Sequence, residues 1–195
     1  MISNLYIIAG CNGAGKTTAS FTILPEMLNC REFVNADSIA AALSPFNPAS
    51  VAFEAGRIML RRIDQLLEER VDFAFETTLA TRSYVSLIND AVKMNYHITL
   101  LYFWLASPEF AKRRVAERVL EGGHDIPADT IERRYYRGIH NLADLYIPVV
   151  DKWMIINNMG MMPEIICSGS KNSEKMILIP ELWNVIKEQS KYNAK

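Results

Sequence analysis

A glycine-rich segment near the amino terminus carries the strongest chemical signal in this sequence. It reads Gly10-Cys11-Asn12-Gly13-Ala14-Gly15-Lys16-Thr17-Thr18 and matches G-x-x-x-x-G-K-[ST] at every fixed position. An apolar segment typical of a buried strand precedes it, and a segment compatible with a helix follows it. Glycines at these positions allow successive backbone N–H groups to converge on phosphate groups. The segment, which we call the phosphate loop, therefore predicts binding of a nucleoside triphosphate such as ATP.

The side chains at the end of the phosphate loop supply the charge and the hydroxyl groups that a nucleotide needs. Lys16 is placed to reach the β- and γ-phosphates, and the hydroxyl of Thr17 is a predicted ligand for Mg²⁺. Thr18 lies close to the phosphates by its position, whereas Cys11 occupies a variable position and is assigned no chemistry. The predicted nucleotide contacts are completed by Gly10, Asn12, Gly13, Ala14 and Gly15.

A carboxylate follows the second predicted strand, which ends at Asn35. Ligands of parallel sheets bind beyond the carboxyl ends of the strands, so Asp37 is placed near the phosphates. Phosphoryl transfer to a hydroxyl gains from a carboxylate that orients or deprotonates the acceptor, and Asp37 is the candidate for this role. The alternative is that Asp37 caps a helix beginning at Ser38. Asn35 is a further candidate contact of the acceptor.

A second carboxylate, Glu76, ends the third predicted strand and leads into Thr77. Because that strand is apolar, a merely solvated acid is less expected at its end. We predict that Glu76 and Thr77 contact the acceptor, with an Mg²⁺-bound water as the alternative partner of Glu76.

An arginine-rich pair of helices is predicted between Glu109 and His140, where acidic residues nearly balance the basic ones. The basic side chains are Lys112, Arg113, Arg114, Arg118, Arg133, Arg134 and Arg137. One interpretation is a solvated helix pair with ion pairs four residues apart. The other is a lid over the nucleotide whose arginines, Arg118 and Arg134 first, stabilise the transferring phosphoryl group. His124, at the bend, either contacts phosphate or caps the turn.

The hydrophobic periodicity alternates between short apolar runs and amphipathic segments, which is typical of a parallel sheet with helices on both faces. We expect an α/β P-loop NTPase or kinase fold, a mostly parallel sheet with a helical lid, as a single domain over residues 1–195. Strands are expected at 5–9, 32–35, 72–76, 96–105, 153–157 and, more weakly, 165–168. Helices are expected at 16–28, 38–43, 48–70, 82–94, 107–121, from 127 or 129 towards 146, and at 180–189.

The composition excludes several classes of protein. Half of the 195 residues are hydrophobic and 22% are charged, which excludes a disordered chain. The net charge of −1 argues against general nucleic-acid binding. Three cysteines without metal-ligand spacing favour a reducing compartment. The amino terminus lacks a signal-peptide pattern and the longest apolar run, residues 98–106, is too short to cross a bilayer. We therefore expect a cytoplasmic protein that does not bind membranes.

Taken in order, the phosphate loop and three further segments resemble the zeta-toxin family of P-loop kinases, in its compact zeta-like branch, over roughly residues 3–160. The three segments are Val34-Asn35-Ala36-Asp37, Phe75-Glu76-Thr77-Thr78-Leu79, and Arg118 through Gly122-Gly123-His124-Asp125-Ile126-Pro127 to Arg133-Arg134-Tyr135.

The resemblance implies transfer of the γ-phosphoryl group of ATP, with Mg²⁺, to the sugar 3′-hydroxyl of UDP-N-acetylglucosamine. It implies that Lys16 and Thr17 bind ATP and Mg²⁺, that Asp37 is the base, and that Glu76 helps to hold the acceptor. Arginines of the lid would contact the ATP phosphates. It further implies a toxin whose ATP site is blocked by a small helical antitoxin.

The residues alone leave other functions open. The chain is alternatively a P-loop kinase for another metabolite or a nucleotide. It is also compatible with a nucleotide-dependent switch or binding protein, for which Asp37 would be dispensable. A nucleic-acid kinase or ATPase would be expected to carry a basic patch beyond the lid, so the balanced charge argues weakly against it.

Overall fold

The computed structural model describes residues 2–123, 125–160, 162–171 and 173–192, and His124 therefore lies outside the described residues. Seven strands in these residues form one sheet with the order β2-β3-β1-β4-β5-β6-β7. The strands are β1 (Ser3–Ala9), β2 (Glu32–Val34), β3 (Phe73–Thr77), β4 (Tyr96–Trp104), β5 (Lys152–Asn157), β6 (Glu164–Ser170) and β7 (Ser173–Ile177).

The strands β1 to β5 run parallel to one another, and β1 lies between β3 and β4. The residues Leu5–Ala9 of β1 are all buried, which explains their uninterrupted apolar run, because a central parallel strand is covered on both faces. The expected α/β fold with a mostly parallel sheet is confirmed.

Helices follow most of the strands. They are α1 (Lys16–Thr22), α2 (Ala36–Leu43), α3 (Ala52–Glu69), α4 (Tyr84–Lys93), α5 (Pro108–Leu120), α6 (Ala128–Asn141) and α7 (Pro180–Ser190). The start of α5 is as expected, because the hydroxyl of Ser107 accepts a hydrogen bond from the backbone N–H of Phe110. Its end is as expected too, because Gly122 adopts a positive φ of 89° directly after the helix.

Several helices change their winding where a continuous α-helix was expected. The predicted helix 16–28 is α-helical to Thr22 and continues as a π-helical turn, Ile23–Met27, which contains Pro25. Proline has no N–H to donate, so the regular ladder of hydrogen bonds cannot pass through it. Similarly, the predicted helix 48–70 begins with a 3₁₀ turn, Pro48–Val51, and α6 continues as a π-helical turn, Leu142–Tyr146.

The far edge of the sheet differs from the expected alternation of strands and helices. The strand β6 is antiparallel to β5, and β7 is antiparallel to β6. The strand β7 was not predicted, because its first three residues, 173–175, are polar and the strand does not alternate between apolar and polar residues.

Within the described residues, none of the helices combines the length and the apolar content that crossing a bilayer requires.

Two glycines, one in the sheet and one in a helix, differ in how closely other side chains pack around them. A Cβ atom at Gly169, in β6, would lie 2.7 Å from the ring of Trp153, whereas a Cβ atom at Gly56, within α3, would meet nothing within 4 Å. We expect Gly169→Ala to lower the free energy of unfolding by about 1–3 kcal/mol through overpacking. The control Gly56→Ala should raise it by about 0.5–1 kcal/mol, because alanine favours the helix. Urea unfolding measures the change in the free energy of unfolding for both variants, which should have opposite signs. An increase for Gly169→Ala would contradict the close packing of Gly169 against Trp153.

Candidate active site

The phosphate loop wraps tightly between β1 and α1 because its glycines adopt backbone conformations that other residues avoid. Gly10 has a φ of 139°, and a Cβ atom there would collide with the backbone carbonyl of Phe103. Gly15 is left-handed with a φ of 79° and directly precedes α1. The loop therefore ends at a helix amino terminus, where free N–H groups and the helix dipole favour anions.

The side chain of Lys16 is folded over the phosphate loop and is almost entirely buried, with 6% of the residue exposed. Its Nζ donates a hydrogen bond to the carbonyl oxygen of Cys11 at 3.0 Å. The same Nζ lies 3.5 Å from Oε1 of Glu76. A buried ammonium group without an anion would be strongly disfavoured, so Glu76 stabilises its charge.

The carboxylate of Glu76 connects the phosphate loop with the second strand. Its Oε2 accepts hydrogen bonds from the hydroxyl of Thr17 at 2.7 Å and from the amide Nδ2 of Asn35 at 2.8 Å. Only 9% of its side chain is exposed. Glu76 is therefore a largely buried carboxylate. It contacts both Thr17, a predicted nucleotide contact, and Asn35, a predicted acceptor contact.

Asn35, and not Asp37, caps α2. The Oδ1 atom of Asn35 accepts hydrogen bonds from the backbone N–H groups of Asp37 at 2.8 Å and Ser38 at 3.1 Å. The alternative that Asp37 caps a helix beginning at Ser38 is therefore wrong, and α2 begins two residues earlier, at Ala36. The carboxylate of Asp37 is exposed in the first turn of α2.

Two cavities meet around the phosphate loop. The first, of about 350 Å³, is lined by loop residues and by α5: Asn12, Gly13, Gly15, Lys16, Thr17, Thr18, Asp37, Glu76, Arg114, Glu117, Arg118 and Glu121. The second, of about 200 Å³, is lined by Asn12, Lys16, Asn35, Ala36, Asp37, Met59, Glu76, Thr77, Thr78, Thr81, Tyr84 and Arg134. Asp37 lines both cavities, together with Asn12, Lys16 and Glu76. We call them the nucleotide cavity and the acceptor cavity.

The arginines named from the sequence lie on different cavities. Arg118 lines the nucleotide cavity, whereas Arg134 lines the acceptor cavity. An Nη1 of Arg134 donates a hydrogen bond to Oδ1 of Asn12 at 3.2 Å, so α6 reaches the phosphate loop directly. The two helices are joined by an ion pair between Lys112 and Glu132. The helix pair is thus fixed over the phosphate loop rather than being only a solvated hairpin.

Asn158 supports the site but was not predicted from the sequence, and Arg114 was predicted only as one of the basic residues of the helix pair. The amide Nδ2 of Asn158, directly after β5, donates to the carbonyl of Ala14 at 2.7 Å, which fixes the phosphate loop from the other side. Its position beyond a strand end was the available signal. Arg114 lines the nucleotide cavity, and its guanidinium carbon lies 4.9 Å from the centre of the Phe110 ring.

Cys11 lies in the phosphate loop but is buried, with 2% exposed. Burial raises the pKa of the Cys11 thiol to about 11, although Lys16 nearby acts in the opposite direction. The thiol therefore stays protonated at neutral pH, which agrees with assigning it no chemistry.

The site offers oxygen ligands that suit Mg²⁺. Among the described residues, no three His, Cys, Asp or Glu side chains form a cluster that could bind a metal ion by themselves. Mg²⁺ is usually bound by one or two protein oxygens together with substrate phosphates. The hydroxyl of Thr17 and the carboxylate of Glu76 lie within 2.7 Å of each other at the end of the phosphate loop, which fits that mode of binding.

Comparison with known proteins agrees with this architecture. A protein from Haemophilus influenzae is 28% identical over 127 residues, which cover 65% of this chain and 88% of that protein. A chain of the AvrRxo1-ORF1:-ORF2 structure with ATP superposes with a TM-score of 0.79 at 16% identity, covering 100% of this chain and 66% of that one. This chain thus spans about two thirds of the length of that protein.

A chain from the PezAT toxin–antitoxin system of Streptococcus pneumoniae is also similar, with a TM-score of 0.65 at 14% identity, covering 96% of this chain and 86% of that one. At such identities these structures establish a shared P-loop kinase fold. The sequence model of the Zeta toxin family matches residues 3–161. Because this match covers most of the chain, the chain belongs to the Zeta toxin family.

Proposed function

We propose that this protein is an ATP-dependent kinase that transfers the γ-phosphoryl group to a hydroxyl of a small molecule. The observation that carries the proposal is the position of Asp37, an exposed carboxylate that lines both cavities. A nucleotide switch needs no second cavity and no carboxylate at the boundary. A kinase needs both, because the acceptor hydroxyl must meet the γ-phosphate at a group that accepts its proton.

In the proposed reaction, ATP occupies the nucleotide cavity with its β- and γ-phosphates on the backbone N–H groups of the phosphate loop and on Lys16. The acceptor occupies the cavity beside it. Its hydroxyl oxygen forms the new bond to the γ-phosphorus while the bond to the β,γ-bridging oxygen breaks, and ADP leaves. Asp37 accepts the hydroxyl proton. Arg118 on the nucleotide side and Arg134 on the acceptor side supply positive charge to the transferring group.

Mg²⁺, when bound, would neutralise charge on the β- and γ-phosphates. The chain would contribute the hydroxyl of Thr17 as its ligand, with Glu76 placed to accept hydrogen bonds from bound water. Thr18 and the backbone of the remaining loop residues would complete the nucleotide site. Asn35, Glu76 and Thr77 would contact the acceptor.

For the acceptor we propose UDP-N-acetylglucosamine, phosphorylated on its sugar hydroxyl, which is the substrate that membership of the family suggests. The acceptor cavity supports a polyhydroxylated group, because its walls carry threonine hydroxyls, amides and charges of both signs. We further propose that the protein is the toxin of a toxin–antitoxin pair with a small helical antitoxin. The similarity to the PezAT system supports this suggestion.

The central prediction is that Asp37→Asn retains ATP binding and loses transfer. The loss of the base should lower the rate constant kcat by about 10²–10⁴. Lys16→Ala should instead weaken ATP binding by about 10–100-fold, because a charge-assisted contact is lost. Purified protein is incubated with γ-labelled ATP, Mg²⁺ and a panel of acceptors led by UDP-N-acetylglucosamine, and the labelled product is identified.

Asp129→Asn is the matched control, since Asp129 is also an exposed acid in the first turn of a helix but lines neither cavity. Full transfer by Asp37→Asn would refute the role of Asp37. ATP binding without label on any acceptor of the panel would favour either an acceptor outside the panel or a nucleotide switch.

We expect the variants Arg118→Ala and Arg134→Ala to differ in their effects on ATP binding and on kcat. Arg118→Ala should raise the dissociation constant of ATP by about tenfold in addition to lowering kcat, because Arg118 lines the cavity that ATP would occupy. Arg134→Ala should lower kcat by about 10²-fold at saturating ATP, because it lines the acceptor cavity and would supply positive charge to the transferring group. The exposed neighbour Arg133, changed to alanine, should leave both constants unchanged. Titration with ATP and steady-state kinetics measure the split, and identical defects in both variants would oppose the assignment.

A further inference from the structure

The last residue of β3 and the start of the connection to α4 form one wall of the acceptor cavity. We call residues 77–81 the acceptor loop. Three threonines of this loop, Thr77, Thr78 and Thr81, line the cavity together with Asp37 and Arg134. Whatever molecule accepts the phosphoryl group therefore meets this loop.

The acceptor loop contains a backbone conformation that needs external support. Leu79 has a φ of 57°, in the left-handed region that residues with a Cβ atom rarely adopt, and it is fully buried. The hydroxyl of Thr77 accepts a hydrogen bond from the backbone N–H of Leu79 at 3.1 Å. Such a conformation persists where surrounding groups fix it, and it is frequent at binding sites.

That support comes from α6 and the π-helical turn that continues it. The amide Nδ2 of Asn141, a residue with 4% exposure, donates to the carbonyl oxygen of Leu79 at 2.7 Å. The hydroxyl of Tyr146 donates to the carbonyl oxygen of Thr81 at 2.6 Å. Gly138 packs so closely that a Cβ atom there would lie 2.5 Å from the carbonyl oxygen of Thr78. Hydrogen bonds from Asn141 and Tyr146 thus fix two backbone carbonyls of the loop, and Gly138 packs against a third.

The same helix reaches the phosphate loop. Arg134, one turn before Gly138, donates to Asn12 at 3.2 Å. The helix α6 therefore contacts the loop that would bind ATP and the loop that would bind the acceptor. The position of α6 therefore affects the distance between the phosphate loop and the acceptor loop.

We propose that Asn141 and Tyr146 are positioning residues for the acceptor. They touch neither cavity. They act by fixing the backbone of the acceptor loop, so that its threonines face the acceptor in one arrangement. The inference rests on the proposed kinase function and adds to it the elements that orient the second substrate.

The test compares two variants that each remove one buried hydroxyl. Tyr146→Phe deletes the hydrogen bond to Thr81, and Tyr135→Phe deletes a hydrogen bond of 2.8 Å to the carbonyl of Leu105, which lines neither cavity. The dissociation constant of ATP, the KM and kcat for UDP-N-acetylglucosamine or another labelled acceptor of the panel, and amide hydrogen exchange in residues 77–81 are measured for each. We expect Asn141→Ala to have a larger effect on the acceptor loop than Tyr146→Phe. If Asn141→Ala does not fold, the proposal is judged on Tyr146→Phe alone.

We expect Tyr146→Phe to raise the acceptor KM by about 5–10-fold, a rise typical of one lost buried hydrogen bond. The dissociation constant of ATP should change by less than about twofold, and exchange should accelerate within residues 77–81 alone. Tyr135→Phe should change none of these quantities. Equal effects of the two tyrosine variants, or an unchanged acceptor KM in both Tyr146→Phe and Asn141→Ala, would overturn the proposal.

Failure of the proposed function has a different signature. In that case the wild-type protein labels no acceptor of the panel. The exchange measurement then decides the inference by itself. Unchanged exchange in residues 77–81 of Tyr146→Phe overturns it, and faster exchange confined to those residues supports the positioning of the loop.

Discussion

A buried carboxylate binds three chemically different groups where the sheet meets the phosphate loop. Glu76 contacts the ammonium of Lys16 at 3.5 Å, the hydroxyl of Thr17 at 2.7 Å and the amide of Asn35 at 2.8 Å. Two of these residues have a further contact, Lys16 with the loop backbone and Asn35 with the start of α2. The charge of Glu76 is tolerated in the interior because these donors replace water. The nucleotide cavity and the acceptor cavity consequently share one electrostatic centre.

The order of the strands produces this arrangement. β3 lies between β2 and β1, and Glu76 stands opposite Ile8 in β1. Val34 is opposite Phe75, so Asn35 follows its strand directly beside Glu76. Because parallel strands end at the same edge, the phosphate loop, Glu76 and Asn35 converge although they are far apart in the sequence. The helix α6 contacts both sides of the site, because Arg134 binds Asn12 of the phosphate loop and Asn141 binds Leu79 of the acceptor loop.

Much of this arrangement follows from local sequence patterns. The phosphate loop is a contiguous motif, and Glu76 ends an apolar strand, so both could be placed before the structure was known. The sequence could not show that Asn35 rather than Asp37 caps α2, because asparagine and aspartate are equally good caps. The position of the cap depends on the exact residue at which β2 ends. Asn158 was missed because its contact with Ala14 spans 144 residues and depends on the position of β5. Asn141 and Tyr146 belong to an ordinary amphipathic pattern, and their contacts with the acceptor loop depend on how two distant segments pack.

The measurement that addresses the central role of Glu76 most directly is ATP binding to Glu76→Gln with and without Mg²⁺. Glutamine keeps the shape of the side chain but removes the negative charge beside Lys16 and Thr17. We predict that the variant binds Mg²⁺-free ATP more tightly than the wild type, because a repulsive charge next to the phosphate site is gone. The ratio of affinities with and without Mg²⁺ should fall by about tenfold, a change of about 1.4 kcal/mol. Glu117→Gln, an exposed acid of the nucleotide cavity, should keep the wild-type ratio. An unchanged ratio in Glu76→Gln would contradict the account of Glu76 as the shared electrostatic centre.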